Sequence, residues 1–181
     1  MYGNSPPSPR RFPRVPLERR AYAYLLDFVV VWLLSSFVTG WLQDVIFLAL
    51  WWGLRVVVVV SNQGQSLGGW AFDLKVINLR LRRLPGVLDL SKREGLLAGF
   101  SLLAMIGLKI NFMNAISMLL FLVPLTIDAG LALGDEEMNQ ALHDRVAGTV
   151  VIRAKRGFSL DLRLKRWSYL LRAKLAERRR R

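Results

Sequence analysis

The chain has 181 residues, 53% of them hydrophobic, and carries 26 Lys and Arg against 13 Asp and Glu, for a formal net charge of +13. So much apolar matter beside so much positive charge excludes an ordinary soluble domain unless the two are segregated along the chain. Cysteine is absent, which excludes a disulfide framework and a thiolate site, and the single histidine, His143, cannot make a metal site by itself.

The opening "MYGNSPPSPRRFPRVP" holds five prolines and little that can be buried, so residues 1–19 read as a Pro/Arg-rich tail without a core of its own. Apolar runs follow at Ala21 to Val38, Leu42 to Val60, Leu96 to Ile110 and Phe112 to Leu133. Three of them approach the roughly 20 residues that a bilayer core requires, and the third, confined between Gly95 and Lys109, is shorter. They predict four spans at about 21–38, 42–60, 96–110 and 112–133. The first run follows two arginines as a secretory signal would. Its length, Trp32, Asp27 and the span that follows almost at once favour a retained helix.

Charge placement is an independent test. Five Arg lie in the first 20 residues, six Lys or Arg between Ser61 and Gly95, and thirteen after Leu133, while the connection "TGWLQD" has none. An even number of spans with every basic segment on one side satisfies the positive-inside rule, so both termini and the 61–95 loop are expected in the cytoplasm. Tyr22, Tyr24, Trp41 and Trp70 fall near span ends, where amphipathic rings favour the interface, whereas Trp51 and Trp52 lie mid-span and suit helix packing.

The loop "NQGQSLGGWAFDLKVINLRLRRLPGVLDLS" has β-branched content followed by a Leu-Pro-Gly turn, and "GTVVIRA" is a second strand candidate. Paired, they would form a small cytoplasmic β element, too slight to stand alone in water. Beyond Gly157, Leu160, Leu164, Trp167, Leu171 and Leu175 recur on one helical stripe among Lys and Arg, which predicts a basic amphipathic helix within the tail 153–181. Such a helix lies on a membrane and attracts anionic lipids. The same charge could serve nucleic acid, but no finger or RNP-type motif accompanies it, and no nucleic-acid partner is expected. The fold class is thus an all-α membrane protein: a four-span helical bundle with a small cytoplasmic β element and a C-terminal amphipathic basic helix.

Three ionisable residues interrupt the apolar runs: Asp27, Arg55 and Asp128. Counted from the cytoplasmic ends of their spans at 1.5 Å per residue, each sits roughly 9 to 10 Å deep, in one layer. Charged groups at such depth turn inward and find partners, so they are expected to meet in the bundle interior. Two carboxylates against one arginine leave one negative charge. Either an Asp27–Arg55 pair locks helix register with Asp128 neutralised, or the unpaired carboxylate serves an ion or a proton. Arg20 lies almost in line with Asp27 but too far along the axis to pair closely, and is expected to snorkel to headgroups. In "LHDRVAGT", three adjacent charged residues cannot all face one way, which argues against a catalytic triad. Asp144 is expected to cap a turn or to bridge to the basic 75–93 loop, and Gly148 to allow close backbone approach.

An arginine at the start of the first span, an aspartate seven residues later, "GQSLGGWAFDLKVIN" after the second span and "NQALHDRVAGTVVI" after the last resemble the RDD family of bacterial membrane proteins. The resemblance covers Arg20 to Ile152, and the domain 20–152 is RDD-like. It implies that Arg20 and Asp27 are the family's arginine and first aspartate, and that Asp144 is the second, with Asp128 an alternative. Its loop motifs fall on Gly64, Gln65, Gly68, His143, Gly148 and Thr149. Where the family has a basic residue after "LG", this chain has Gly69 and Trp70, and "GQSLGG" lacks the ending of a P-loop. The resemblance implies a multi-pass protein of the bacterial plasma membrane and transport of an unspecified ligand. The style of the tails resembles cyanobacterial members and admits a thylakoid location.

Two functions compete. One is a small ion or solute transporter that uses the intramembrane Asp and Arg residues, as a homo-oligomer because four short spans enclose little by themselves. The other is a non-transporting scaffold or assembly factor that holds another membrane complex. Enzymatic activity is not expected, since "LALGD" departs from the Gly-x-Gly-Asp of intramembrane aspartyl proteases. No cofactor is implied.

Overall fold

A computed structural model describes residues 15–110, 115–135 and 138–154. The N-terminal tail before Val15 and the basic amphipathic stretch after Ala154 lie outside the described residues.

Helix α1 runs from Leu17 to Ser35, and α2 from Trp41 to Trp52. The latter continues through a π-helical turn, Gly53–Val57, into α3, Val58–Ser61. One helix therefore spans Trp41–Ser61. A π turn widens the helix by one residue and re-aims the side chains it carries. Arg55 sits in its middle.

A short helix, α4 (Leu67–Ala71), leads into strand β1 (Leu74–Asn78). After a tight loop, α5 runs from Val87 to Ile110 and α6 from Ala115 to Leu133. The one-and-a-half-turn α7 (Leu142–Ala147) ends at Gly148, whose left-handed φ of 61° closes the helix and turns the chain into β2 (Thr149–Arg153). The strands pair antiparallel, with Leu74 opposite Arg153 and Asn78 opposite Thr149. The two strand candidates thus pair with one another across α5, α6 and α7, not with a local hairpin partner. Asn78 explains why the loop folds back on itself: its Oδ1 accepts the Arg80 and Leu81 N–H groups while its Nδ2 donates to Asp89.

Expectation and structure differ most at the third span. Helix α5 begins well before residue 96, because its first turns carry charges that a hydropathy reading assigns to the loop. Leu90, Glu94, Leu97 and Ser101 recur at helical spacing, and all four are buried. Two helices are long and apolar enough by themselves to cross a membrane, Trp41–Ser61 and Ile116–Leu133. Helix α1 brings Glu18, Arg19, Arg20 and Asp27 with it. Much of the apolar surface faces outward, including Phe37, Trp41, Ile116, Leu120 and Leu133. So extensive an exposed apolar surface suits a bilayer.

The interior has two apolar clusters. Near the sheet, Val15, Ala23, Val56, Val59, Leu74, Val76, Leu90 and Val151 pack together and support the two strands. Toward the other end, Phe28, Val31, Phe47, Trp51, Leu97, Ala98 and Met105 fill the space between α1, α2 and α5. Trp51 is fully buried, whereas Trp52 faces outward. Between the clusters lies a layer of charge.

Candidate functional site

Asp27 is wholly buried, and three donors satisfy it. Arg55 Nη1 donates to Oδ2 at 2.7 Å, Ser66 Oγ donates to Oδ2 at 2.6 Å, and the Gly68 N–H donates to Oδ1 at 2.7 Å. Ser66 is also the N-cap of α4, its Oγ accepting the Gly69 N–H. The carboxylate therefore holds α4 by its first turn as well as pairing with Arg55. Gly68 must be glycine for this contact, because a Cβ there would overlap the backbone carbonyl of Ala23.

From Arg55 the pairing continues. Its Nε donates to Glu94 Oε2 at 2.6 Å and its Nη2 to Oε1 at 3.3 Å, a two-pronged contact, while the guanidinium lies 5.2 Å from the Trp51 ring centre. Glu94 also accepts from Arg93. Arg93 Nε donates to Asp144 Oδ1 at 2.9 Å, and Asp144 Oδ2 accepts from Arg20, which donates as well to the Asn139 carbonyl. Burial by itself would raise the Asp144 carboxyl; Arg93, His143 and Arg20 outweigh it and hold the group far below the ordinary carboxylate range.

Asp128 stands apart from this chain of pairs. Its Oδ1 accepts the His143 backbone N–H at 3.0 Å and its Oδ2 lies 2.7 Å from His143 Nδ1. The other ring nitrogen, Nε2, is 3.3 Å from Arg93 Nη2 and 3.6 Å from Asp144 Oδ1. Arg93 can only donate, so the tautomer that keeps this contact has Nε2 accepting and Nδ1–H directed at Asp128. Four carboxylates (Asp27, Glu94, Asp128 and Asp144) face three guanidiniums (Arg20, Arg55 and Arg93), leaving one formal negative charge before His143 is counted. Among the described residues no cluster of three or more acidic or His side chains is arranged to hold a metal ion.

A cavity of about 600 Å³ borders the layer, lined by Arg20, Arg55 and Arg93, by Asp128 and His143, and by apolar residues of α1, α5 and α6. A volume of that size is in the range of small-molecule sites, about 300 to 1,000 Å³.

Compared with known proteins, residues 14–148 match the model of the RDD family. The chain belongs to the RDD family. No curated protein and no solved structure matches it.

In this RDD protein, Asp27 and Arg55 meet, but Asp128 does not join them. Helix α6 packs on α5 and α7, and its carboxylate reaches α7 instead. Arg20 does not snorkel; it pairs with Asp144, a partner 124 residues away. His143 and Asp144 both face the interior while Arg145 faces out. Gln65 ties the loop to β1, its Nε2 donating to the Leu74 carbonyl at 2.9 Å, and Gly64 accepts the Val76 N–H at 2.8 Å. Thr149 starts β2 beside the Asp144 carbonyl, with its Oγ1 donating at 3.4 Å. Asp144 does bridge to the basic 75–93 stretch, through Arg93, but sequence reasoning missed Glu94. The buried recurrence Leu90, Glu94, Leu97 was the available signal.

Proposed function

We propose that this RDD-family chain is a multi-pass protein of a bacterial plasma membrane that moves a small ion or solute with coupling to a proton. The observation that carries this reading is the Asp128–His143 pair at the wall of the cavity. A proton on His143 brings the charged layer to neutrality. It also turns Nε2 from acceptor to donor, so that the Arg93 contact at 3.3 Å gives way to Asp144 Oδ1 at 3.6 Å. One proton thereby trades an α5–α7 contact for one within α7 beside the cavity. Asp27 and Arg55, tied to each other and to Ser66, Gly68 and Glu94, are the strut against which this exchange occurs. The positive-inside bias of the sequence supports a cytoplasmic location for the sheet end and both termini.

Full-length protein in proteoliposomes, under Na⁺, K⁺ and H⁺ gradients with an internal pH dye, tests the reading. Wild type is expected to carry a cation- or solute-dependent proton flux. Asp128→Asn and His143→Gln should each reduce it about tenfold or more while remaining monodisperse, the magnitude expected of a lost proton-transfer group. Undiminished flux in His143→Gln would sink it.

A scaffold role has an observation of its own. Leu81, Leu84, Val87 and Leu88 are exposed beside Arg80 and Arg83 at the sheet end. An apolar patch among cations is suited to a protein partner. Affinity purification in mild detergent should then recover a stoichiometric companion that Leu84→Asp/Leu88→Asp loses.

A further inference from the structure

The cavity is two-sided in its chemistry. At one pole Arg20, Arg55, Arg93 and Lys75 line it together with His143. Asp27, Glu94 and Asp144, the carboxylates that pair with those arginines, are at most 1% exposed and do not line it. They stand behind the guanidiniums. Two acids do reach the wall: Glu18, in the first turn of α1, and Asp128, whose oxygens both bond to His143. A guanidinium has five N–H groups; Arg20 Nη1 donates to the Asn139 carbonyl and Nη2 to Asp144, and among the described residues its Nε–H is left for a ligand.

The rest of the wall is mainly apolar, with Leu97, Leu125 and Ala132 deeper and Leu25 and Ala129 exposed, and it includes the polar groups of Tyr24, Ser66 and Thr126. Tyr22 and Leu25 on α1 and Leu133 on α6 line it and are exposed, which puts the mouth between two helices that do not pack extensively on each other. Arg20 is three residues into α1, roughly 5 Å along the axis from its start. Arg20 also stands where the first apolar run begins, so the cationic pole lies toward the polar end of α1 and the largely apolar wall continues along α1 and α6.

We propose that this cavity binds an amphiphile with an anionic oxygen headgroup and an acyl chain, entering sideways from the bilayer between α1 and α6. The head takes hydrogen bonds from Arg20 and charge from Lys75, and the chain lies along Leu97, Leu125, Ala129 and Ala132. Charge complementarity selects the head and the apolar wall selects the tail; a water-soluble anion uses only the first. The inference concerns the cavity of the transport reading but is tested by binding, so absence of flux leaves it standing and absence of binding leaves the transport reading standing.

Full-length protein, delipidated in a neutral maltoside detergent, is incubated with phosphatidylglycerol, oleate, phosphatidylcholine or glycerol phosphate, and bound species are counted by native mass spectrometry. Phosphatidylglycerol or oleate should be retained about tenfold over phosphatidylcholine, with glycerol phosphate unable to displace either. Ala129→Phe fills the apolar wall and leaves every charge in place; Lys75→Gln removes a cation outside the paired layer. Each should cut the preference to about twofold or less. The melting temperature of unsubstituted protein should rise with phosphatidylglycerol and not with glycerol phosphate, because a ligand stabilises the state that binds it. A wild-type preference retained in Ala129→Phe overturns the proposal, since the lipid is then held by the outer basic surface. Equal binding of the four compounds overturns it as well, as does a melting rise with glycerol phosphate.

Discussion

At the sheet end of the bundle, Asp27, Arg55, Glu94, Arg93, Asp144 and Arg20 form a continuous run of ion pairs whose carboxylates are at most 1% exposed. At the other end the interior is Phe28, Val31, Phe47, Trp51 and Met105, and the ion pair there, Lys109–Asp44 at 2.8 Å, is about a third exposed on both sides. Apolar packing is non-directional and tolerates a small slide of one helix on another. A saturated carboxylate does not, because losing one of its donors leaves a buried charge short of a partner. We hypothesise that the aromatic end supplies most of the buried area and the charged end fixes which helices meet at which depth, a role that buried polar groups have in some systems. The hypothesis fails if variants of the charged end lose stability yet keep every helix in register by cysteine cross-linking.

The sharpest way to break the contrast is Arg55→Met. It strands Asp27 and Glu94 together in the interior and is expected to cost about 3 to 5 kcal/mol, the range for removing one partner of a buried pair. Fluorescence-detected size exclusion should show mostly aggregated protein. Adding Asp27→Asn and Glu94→Gln should recover part of the monodisperse peak, since the stranded charges are then gone.

Next in size is Gly68→Ala. The added methyl meets the Ala23 carbonyl and forces α4 away from α1, lifting Ser66 and the Gly68 N–H off Asp27. About 1 to 3 kcal/mol is expected for overpacking, visible as a lower melting temperature in detergent. An unchanged melting temperature would mean that α4 is not held as closely as its bonds imply.

Acid provides a third comparison. Asp144 is ionised in the fold at pH values where its unfolded counterpart, near 3.8, takes up a proton. The unfolded state then binds more protons, so this contribution is complete above about pH 4 and declines as pH falls below it. The slope is about 1.4 kcal/mol per pH unit for one group. That slope is reached only well below pH 3.8, so between pH 4 and 3 wild type should lose about 0.9 kcal/mol more than Asp144→Asn. Parallel curves would place the acid sensitivity elsewhere.

The Asp27–Arg55 contact was legible because both are charges inside apolar runs, and equal depth on neighbouring helices brings them together. What the sequence concealed follows from the same logic. Hydropathy flags a charge that lacks water, but it says nothing of a partner arriving from outside the run. Glu94 and Arg93 lie in turns of α5 polar enough to look like loop, and Asp144 reaches Arg20 only once α7 is docked on α5. Asp128 was misplaced for a related reason: depth fixes position along the bundle axis but not which side of α6 faces which neighbour, and that side faces His143. The antiparallel strands were legible from β-branched runs; their mutual pairing encloses α5, α6 and α7, and no local pattern encodes it.

The smallest effect belongs to the other end. Lys109 in the last turn of α5 and Asp44 in the first turn of α2 are each favourably placed for the helix dipoles, so part of their benefit does not depend on the pair. Water also screens what remains. Lys109→Ala is expected to cost less than about 1 kcal/mol, and a double-mutant cycle with Asp44→Ala should give a coupling near the few tenths typical of exposed pairs. Raising salt should erase that coupling while leaving the loss in Arg55→Met intact, because the screening that reaches Lys109 does not reach a buried guanidinium. A coupling at Lys109–Asp44 as large as the Arg55 effect would show that both ends are held by charge, and the contrast between them would fall.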